Sequence, residues 1–235
     1  LTKRGVFNNI SFKVREGEVL GLSGLMGAGR SEIVRCIFGL DRFDEGEILI
    51  EGKALYIRKP LDAIKAGIGL VPEDRRKDGF VPLMSVRENL TLPSLPWINT
   101  KGWINKNIES EIAESYISAL GIKTPSPEHA VSNLSGGNQQ KCVLGKWLAL
   151  NPRIIILDEP TRGIDVGAKA EIHRIIEGLA KKGVAIIMIS SELPEILGVS
   201  DRIIVLHEGV ITGEYDAKNV TQEQIMHSAT GVVCA

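Results

Sequence analysis

The sequence predicts an α/β fold: a mainly parallel sheet flanked by helices, with an antiparallel β subdomain and an inserted helical subdomain. Three observations predict it. Strand-sized apolar runs alternate with stretches of helical periodicity along most of the 235 residues. The most apolar of those runs are continuous rather than alternating, as strands buried on both faces require. The texture then changes to charged, loop-rich and helical between residues 75 and 150 before the apolar runs resume. The expected organisation is one domain over 1–235, its core built from 1–74 and 151–235 and its helical part from 75–150.

Residues 6–17 alternate loosely through Val6, Phe7, Ile10, Phe12 and Val14 and predict an antiparallel edge strand. Gly17 turns the chain into a buried strand over 18–23. A glycine-rich loop follows, then a helix over 31–40 with Ile33, Val34, Ile37 and Phe38 at helical spacing. Residues 47–52 read as a hairpin strand, 61–66 as a short helix and 68–71 as a strand. Beyond Glu73 come residues 85–90, a proline-punctuated loop, a helix near 106–120 and a long helix over 138–149 that Asn151-Pro152 ends. Residues 154–157 form a central strand. An amphipathic helix over 167–181 follows, with Ile172, Ile175, Ile176 and Leu179 on one side, then a buried strand over 184–190 and a helix near 192–197. Residues 201–206 and 211–215 pair as a hairpin. A last helix begins near Thr221, whose hydroxyl caps it, with Glu223 close behind.

Composition narrows the function classes. There are 28 basic and 29 acidic residues, a formal net charge of -1, which argues against a nucleic-acid partner. Cys36, Cys142 and Cys234 are scattered, without metal-ligand spacing, and fit a reducing compartment. His129, His173, His207 and His227 are equally scattered, so no metal site built from them is expected. No apolar run reaches membrane-spanning length, and Lys3 and Arg4 are not followed by the apolar core of a signal peptide. The chain begins on leucine, which reads as a piece of something longer.

The segment Gly24-Leu25-Met26-Gly27-Ala28-Gly29-Arg30-Ser31, with Glu32 beyond it, joins a strand to a helix. A backbone that wraps phosphates must turn its N–H groups inward. Gly24, Gly27 and Gly29 permit that path, and the helix that follows adds its N-terminal dipole. Ser31 offers a hydroxyl to Mg²⁺. Lysine is the usual residue before that hydroxyl; Arg30 keeps the charge as a planar fork. Further along, the apolar run 154–157 delivers Asp158 and Glu159 to the C-terminal edge of a strand, where open α/β sheets place ligands. Asp158 suits Mg²⁺ through water, and Glu159 suits orienting or deprotonating an attacking water in phosphoryl transfer.

With these segments in view, the chain resembles the ATP-binding cassette ATPases, P-loop nucleoside triphosphatases that power membrane transporters. The element Leu134-Ser135-Gly136-Gly137-Asn138-Gln139-Gln140 is similar to that family's signature loop. The resemblance implies that this loop closes over ATP held by a partner cassette, and that Asp165 lies in the loop crossing the cassette interface. It further implies ATP and Mg²⁺ as cofactors, with Ser31, Asp158 and Glu73 as metal-side residues and Glu159, Ser191 and Glu73 as catalytic ones. More narrowly, Gly24 to Arg30, Val71-Pro72-Glu73-Asp74-Arg75-Arg76 and Ile189-Ser190-Ser191-Glu192-Leu193-Pro194-Glu195 are similar to the C-terminal cassette of tandem-cassette ATPases for bacterial monosaccharide import. Ribose, galactose, xylose and autoinducer-2 systems belong there. That implies a second cassette in the same full-length polypeptide, integral membrane permease subunits, and, indirectly, a periplasmic or extracellular sugar-binding protein. The implied place is the cytoplasmic side of the bacterial membrane, peripherally bound.

The departures matter. Glu73 stands where most cassettes have glutamine, and Ser191 where most have histidine. An aromatic residue that stacks adenine is expected near the N-terminus, and Phe7 falls slightly too far along. Arg30, Glu73 and Ser191 together imply slow turnover. A non-hydrolysing cassette that only completes its partner's ATP site is the alternative. The helical insertion, with residues 84–88 near its start, is the expected permease dock, with Trp97 and Trp103 as surface candidates whose other reading is packing of the helical subdomain.

Overall fold

The computed structural model describes residues 1–100 and 102–231. In chain order the elements are β1 (Val19–Gly24), α1 (Arg30–Phe38), β2 (Ile48–Ile50), β3 (Lys53–Leu55), α2 (Pro60–Lys65), β4 (Ile68–Val71), α3 (Val86–Thr91), α4 (Leu95–Ile98), β5 (Asn99–Thr100) and β6 (Trp103–Ile104). They continue with α5 (Lys106–Ala119), α6 (Gly136–Leu148), β7 (Ile154–Asp158), α7 (Val166–Lys181), β8 (Ala185–Ile189), α8 (Leu193–Val199), β9 (Arg202–His207), β10 (Val210–Asp216) and α9 (Gln222–Ala229). The chain divides into two compact units. One holds residues 1–70, 153–159 and 176–235; the other holds 71–152 and 160–175.

The first unit carries a six-stranded sheet in the order β10-β9-β1-β8-β7-β4. β1 pairs parallel with both β8 and β9, β7 pairs parallel with β8, and β10 closes one edge antiparallel to β9. Every residue of β8, and the central residues of β1, β7 and β9, is buried. That is why these strands read as unbroken apolar runs. Helices α1, α8 and α9 pack on β1 or β9. β2 and β3 form the antiparallel hairpin, with Ile48 opposite Leu55. Thr221 caps α9 as expected, with Glu223 in the first turn and Gln224 completing a capping box.

The edge strand predicted over 6–17 does not form. That segment makes only isolated bridges near its start, such as Lys3 with Phe7. Asn9 adopts φ 50, which takes the backbone out of the extended region in mid-segment. Phe7 and Ile10, three residues apart, are the side chains that reach the core.

The second unit is helical, with α3, α5 and α6 in mutual contact. The proline-punctuated stretch is not a plain loop. Pro93 and Pro96 sit at the starts of a 3₁₀ turn over Leu92–Ser94 and of α4, where a missing N–H costs nothing. Ser85 and Glu88 form a reciprocal capping box on α3. Residues 85 and 86, near the start of the expected dock, are buried, and the exposed apolar side chains nearest to them are Val81 and Leu83. Trp97 and Trp103 are both exposed. Cys36 and Cys142 are buried free thiols, and burial pushes Cys142 up to about 12; Cys234 lies outside the described residues. No helix among the described residues is long and apolar enough to cross a membrane.

One buried cation gives a pH prediction. Lys146, on α6, donates from its ammonium to the Gly79 carbonyl. Burial lowers its pKa from 10.5 to about 8. Below pH 8 the lysine is charged in both folded and unfolded chains. Between pH 8 and 10.5 the unfolded chain holds the proton that the folded one has lost, so stability rises with pH across that window. The rise is on the order of 3 kcal/mol, at about 1.4 kcal/mol per pKa unit. Denaturant unfolding at pH 7.5 and at pH 10 should show it in the native protein and not in Lys146→Met.

Candidate functional site

Sheet register assembles the site in the first unit. Leu22 of β1 pairs with Ile189 of β8, and Ile189 pairs with Asp158 of β7. These three residues form one row across neighbouring strands running the same way. The residues just beyond them therefore emerge at one sheet edge: Ser23 and Gly24 from β1, Ser190 and Ser191 from β8, Glu159 from β7. Chain segments far apart in sequence meet there because parallel strands put their C-terminal ends side by side.

The loop after β1 takes the path its glycines allow. Gly24, Gly27 and Gly29 have φ of 150, 82 and 94. At Gly24 a Cβ would fall 2.4 Å from the Leu206 carbonyl oxygen, so the loop leaves β1 hard against β9. Gly27 faces open space, and Leu25 and Met26 are exposed at the crown. Ala28 tucks in: its N–H donates to the Leu25 carbonyl at 3.1 Å, and its own carbonyl accepts from Gly209 at 3.2 Å. Gly29 is the N-cap of α1, whose first turn holds Arg30, Ser31 and Glu32. The first N–H groups of a helix have no intrahelical acceptor, and they emerge where this loop ends.

Three side-chain contacts tie the edge together. The Ser31 hydroxyl donates to Asp158 Oδ1 at 3.2 Å. Arg30 Nη1 donates to the Ser190 carbonyl at 3.1 Å. Ser191 Oγ donates to Glu159 Oε2 at 3.1 Å. Asp158 is 5% exposed, so its carboxylate faces the protein rather than bulk water. Glu159 adopts φ 49, a sparsely populated conformation for a non-glycine residue, and its N–H is held by the Ile189 carbonyl at 2.9 Å. Phe7 is buried, so its ring offers no face to a base.

The remaining predicted residues lie in the second unit. Glu73 is ion-paired with Arg162. Arg75 spans the same region, donating from Nη1 to the Arg162 carbonyl at 2.6 Å and from Nη2 to the Gly163 carbonyl at 3.0 Å. Asp165 caps α7, its Oδ1 accepting from the Ala168 N–H at 2.9 Å. Ser135 is the N-cap of α6, but its exposed hydroxyl accepts from Asn138 Nδ2 at 2.9 Å instead of from the helix backbone. Gly137 is required by packing, since a Cβ there would fall 2.6 Å from the Ala168 Cβ. Gln139 is buried, its amide nitrogen shared among the Val131, Ser132 and Leu134 carbonyls. It shapes the loop from inside, and so holds Leu134 as well.

Sequence reasoning missed the parts played by Ser190, Glu195 and Arg75. All three stand in phrases that carried the resemblance. Arg75 meets carbonyls 87 and 88 positions away and the Ser190 carbonyl meets Arg30 160 positions away, which no spacing pattern records; Glu195 meets a hydroxyl only five positions back, a spacing that marks no standard cap.

The comparisons agree with this geometry. A family profile described as ABC transporter matches residues 7–162. The ribose import ATP-binding protein of Bacillus licheniformis is 55% identical over 230 residues, covering 98% of this chain and 47% of that protein. The xylose import ATP-binding protein of Thermoanaerobacter pseudethanolicus is 53% identical over 227 residues, covering 96% and 45%. The chain thus spans about half the length of the curated relatives it matches. Among solved structures, an ATP-binding cassette of an ABC transporter solved from a twinned crystal superposes with a TM-score of 0.82 at 26% identity, covering 97% of this chain and 94% of that one. A nucleotide-free ATP-binding cassette from an ABC transporter gives 0.78 at 26% identity, covering 95% and 88%. Matching fold, matching profile and the three converging loops lead to one conclusion: the chain belongs to the ABC transporter family.

Proposed function

We propose that this chain is a nucleotide-binding cassette that binds Mg-ATP and hydrolyses it slowly, driving monosaccharide import through a membrane permease at the cytoplasmic face. The observation that carries the reading is the meeting, at one sheet edge, of the glycine loop, the Ser31–Asp158 pair and the Ser191–Glu159 pair. The backbone amides of residues 24–32 bind the triphosphate, and the α1 N-terminus adds its dipole. Ser31 and Asp158 are a hydroxyl and a carboxylate within 3.2 Å of each other. Such hard oxygen donors suit Mg²⁺, which takes one or two protein ligands and completes its shell with phosphate and water. When bound, that ion offsets charge on the phosphate oxygens.

Glu159 acts on the attacking water, and Ser191 sets the rotamer of its carboxylate. Arg30 braces phosphate from a guanidinium already steered by Ser190. The two-pronged geometry differs from a lysine's point charge, which supports binding better than fast turnover. Glu73 is a further candidate for metal or water contact; its carboxylate is held by Arg162 in this structure, which offsets the extra negative charge. In the other unit, Ser135, Gly136, Gly137 and Asn138 present a helix N-terminus and a hydroxyl to the γ-phosphate of a partner cassette's ATP, braced by Leu134 and Gln139. Asp165 orders the neighbouring interface loop. The partner cassette belongs to the same longer polypeptide. Permease subunits dock on the helical unit, with Val81, Leu83, Trp97 and Trp103 as the exposed apolar contacts. A sugar-binding protein outside the membrane delivers the substrate.

Calorimetric titration of the chain with ATP, with and without Mg²⁺, tests the binding step, and a phosphate-release assay tests turnover. Magnesium-dependent binding with slow release is expected. An absence of uptake in the titration with Mg²⁺ removes the proposal, and turnover matching an intact transporter removes its slow-site component.

A further inference from the structure

We infer that Glu195 is a positioning residue that locks the Ser190-Ser191 turn so that one dipeptide holds both Arg30 and Glu159. Glu195 is a carboxylate 6% exposed, and Ser190 is 1% exposed. A buried charge needs hydrogen-bonding partners to persist, and the Ser190 hydroxyl donates to Glu195 Oε2. The same hydroxyl oxygen accepts from the Glu192 N–H at 3.0 Å, so the Ser190 side chain is fixed from two directions. Glu195 lies in the first turn of α8, where the helix dipole favours a negative charge.

The consequence lies one covalent step away. The Ser190 carbonyl accepts from Arg30 Nη1 at 3.1 Å, and the next residue, Ser191, donates to Glu159 Oε2 at 3.1 Å. Rotation of the peptide between these serines swings the arginine's anchor and the glutamate's anchor together. Glu195 touches neither substrate nor reacting atoms. It acts by denying that rotation, which keeps the phosphate-side cation and the water-side carboxylate in one geometry. A carboxylate needed only to stabilise α8 would have no reason to reach a hydroxyl in the loop between the two catalytic groups.

The inference rests on the proposed ATP hydrolysis, and the test separates the two. In the 235-residue chain, Glu195→Ala, Glu195→Gln and Ser190→Ala are compared for Mg-ATP affinity, single-turnover hydrolysis and thermal midpoint. Misplacement of a reacting group on the ångström scale costs up to roughly 100-fold in rate. Glu195→Ala and Ser190→Ala should each lower single-turnover hydrolysis roughly ten-fold or more, with Mg-ATP affinity held within about three-fold. Glu195→Gln retains a carbonyl acceptor for the Ser190 hydroxyl and should restore the rate to within about three-fold of the native chain. The double alanine variant should be no slower than either single one, because both remove the same bond. Native-like hydrolysis by Glu195→Ala overturns the inference. So does a loss of affinity, rate and thermal midpoint in step that glutamine does not rescue. A native chain that neither binds nor hydrolyses Mg-ATP overturns the proposed function itself, which is a different result from native turnover that is indifferent to residue 195.

Discussion

Glu159→Gln should lower ATP hydrolysis by this cassette by roughly 100-fold to 10,000-fold, the range that a positioned general base contributes, while leaving Mg-ATP binding intact. The argument begins with shape. Glutamine matches glutamate in size, and its carbonyl oxygen still accepts from Ser191 Oγ, which lies 3.1 Å from the carboxylate in the native chain. The backbone at position 159, with φ 49 and its N–H held by the Ile189 carbonyl, has no reason to move. What changes is proton affinity: an amide takes no proton from water. Single-turnover phosphate release measures the loss, and calorimetry checks that affinity is retained. In an intact transporter the same substitution separates two mechanisms. Unchanged transport would mean that this cassette only completes its partner's site; abolished transport would mean that its own hydrolysis is required.

Gly24→Ala should destabilise the chain by about 3 kcal/mol or more and abolish nucleotide binding, because it combines backbone strain with overpacking. Position 24 has φ 150, and the added methyl would fall 2.4 Å from the Leu206 carbonyl oxygen and 3.1 Å from the Ala28 Cβ. The methyl cannot be relieved by a rotamer change, since its nearest neighbour is backbone of β9. Either β1 separates from β9 or the loop is pushed off its path, and both move the amides that bind phosphate. Gly27→Ala is the comparison. Its φ of 82 imposes strain, yet no atom lies within 4 Å of the added carbon. It should cost about 1 kcal/mol, the low end of such strain. Urea unfolding of the two variants measures the difference, and equal losses would show that packing against Leu206 does not constrain the loop.

Much of the fold was legible because burial writes itself into composition. Strands covered on both faces are continuous apolar runs, and β1, β4, β7 and β8 were readable for that reason. Local chemistry announced the α9 cap at Thr221, since a side chain three residues from its target needs no tertiary help. Residues 6–17 failed the same reading. Their alternation mimics a strand, but Phe7 and Ile10 fill core positions without a ladder beside them, and Asn9 breaks the extended path. At the start of the helical unit, the reciprocal capping box of Ser85 and Glu88 begins α3, with Ser85 and Val86 buried and Leu83 outside.

By itself the sequence determined the kinds of groups available: a flexible glycine path, a hydroxyl, two carboxylates at a strand end, and a serine-glycine helix start. Those follow from residue chemistry and short-range spacing, which the chain carries whatever its fold. Tertiary structure alone decided their company. Parallel pairing of β1, β8 and β7 aligned three strand ends, so that Arg30 meets the Ser190 carbonyl 160 positions away and Ser31 meets Asp158 127 positions away. It also paired Glu73 with Arg162, 89 positions away. Contacts of that kind arise from register and burial, which fix distances between residues that no local pattern connects.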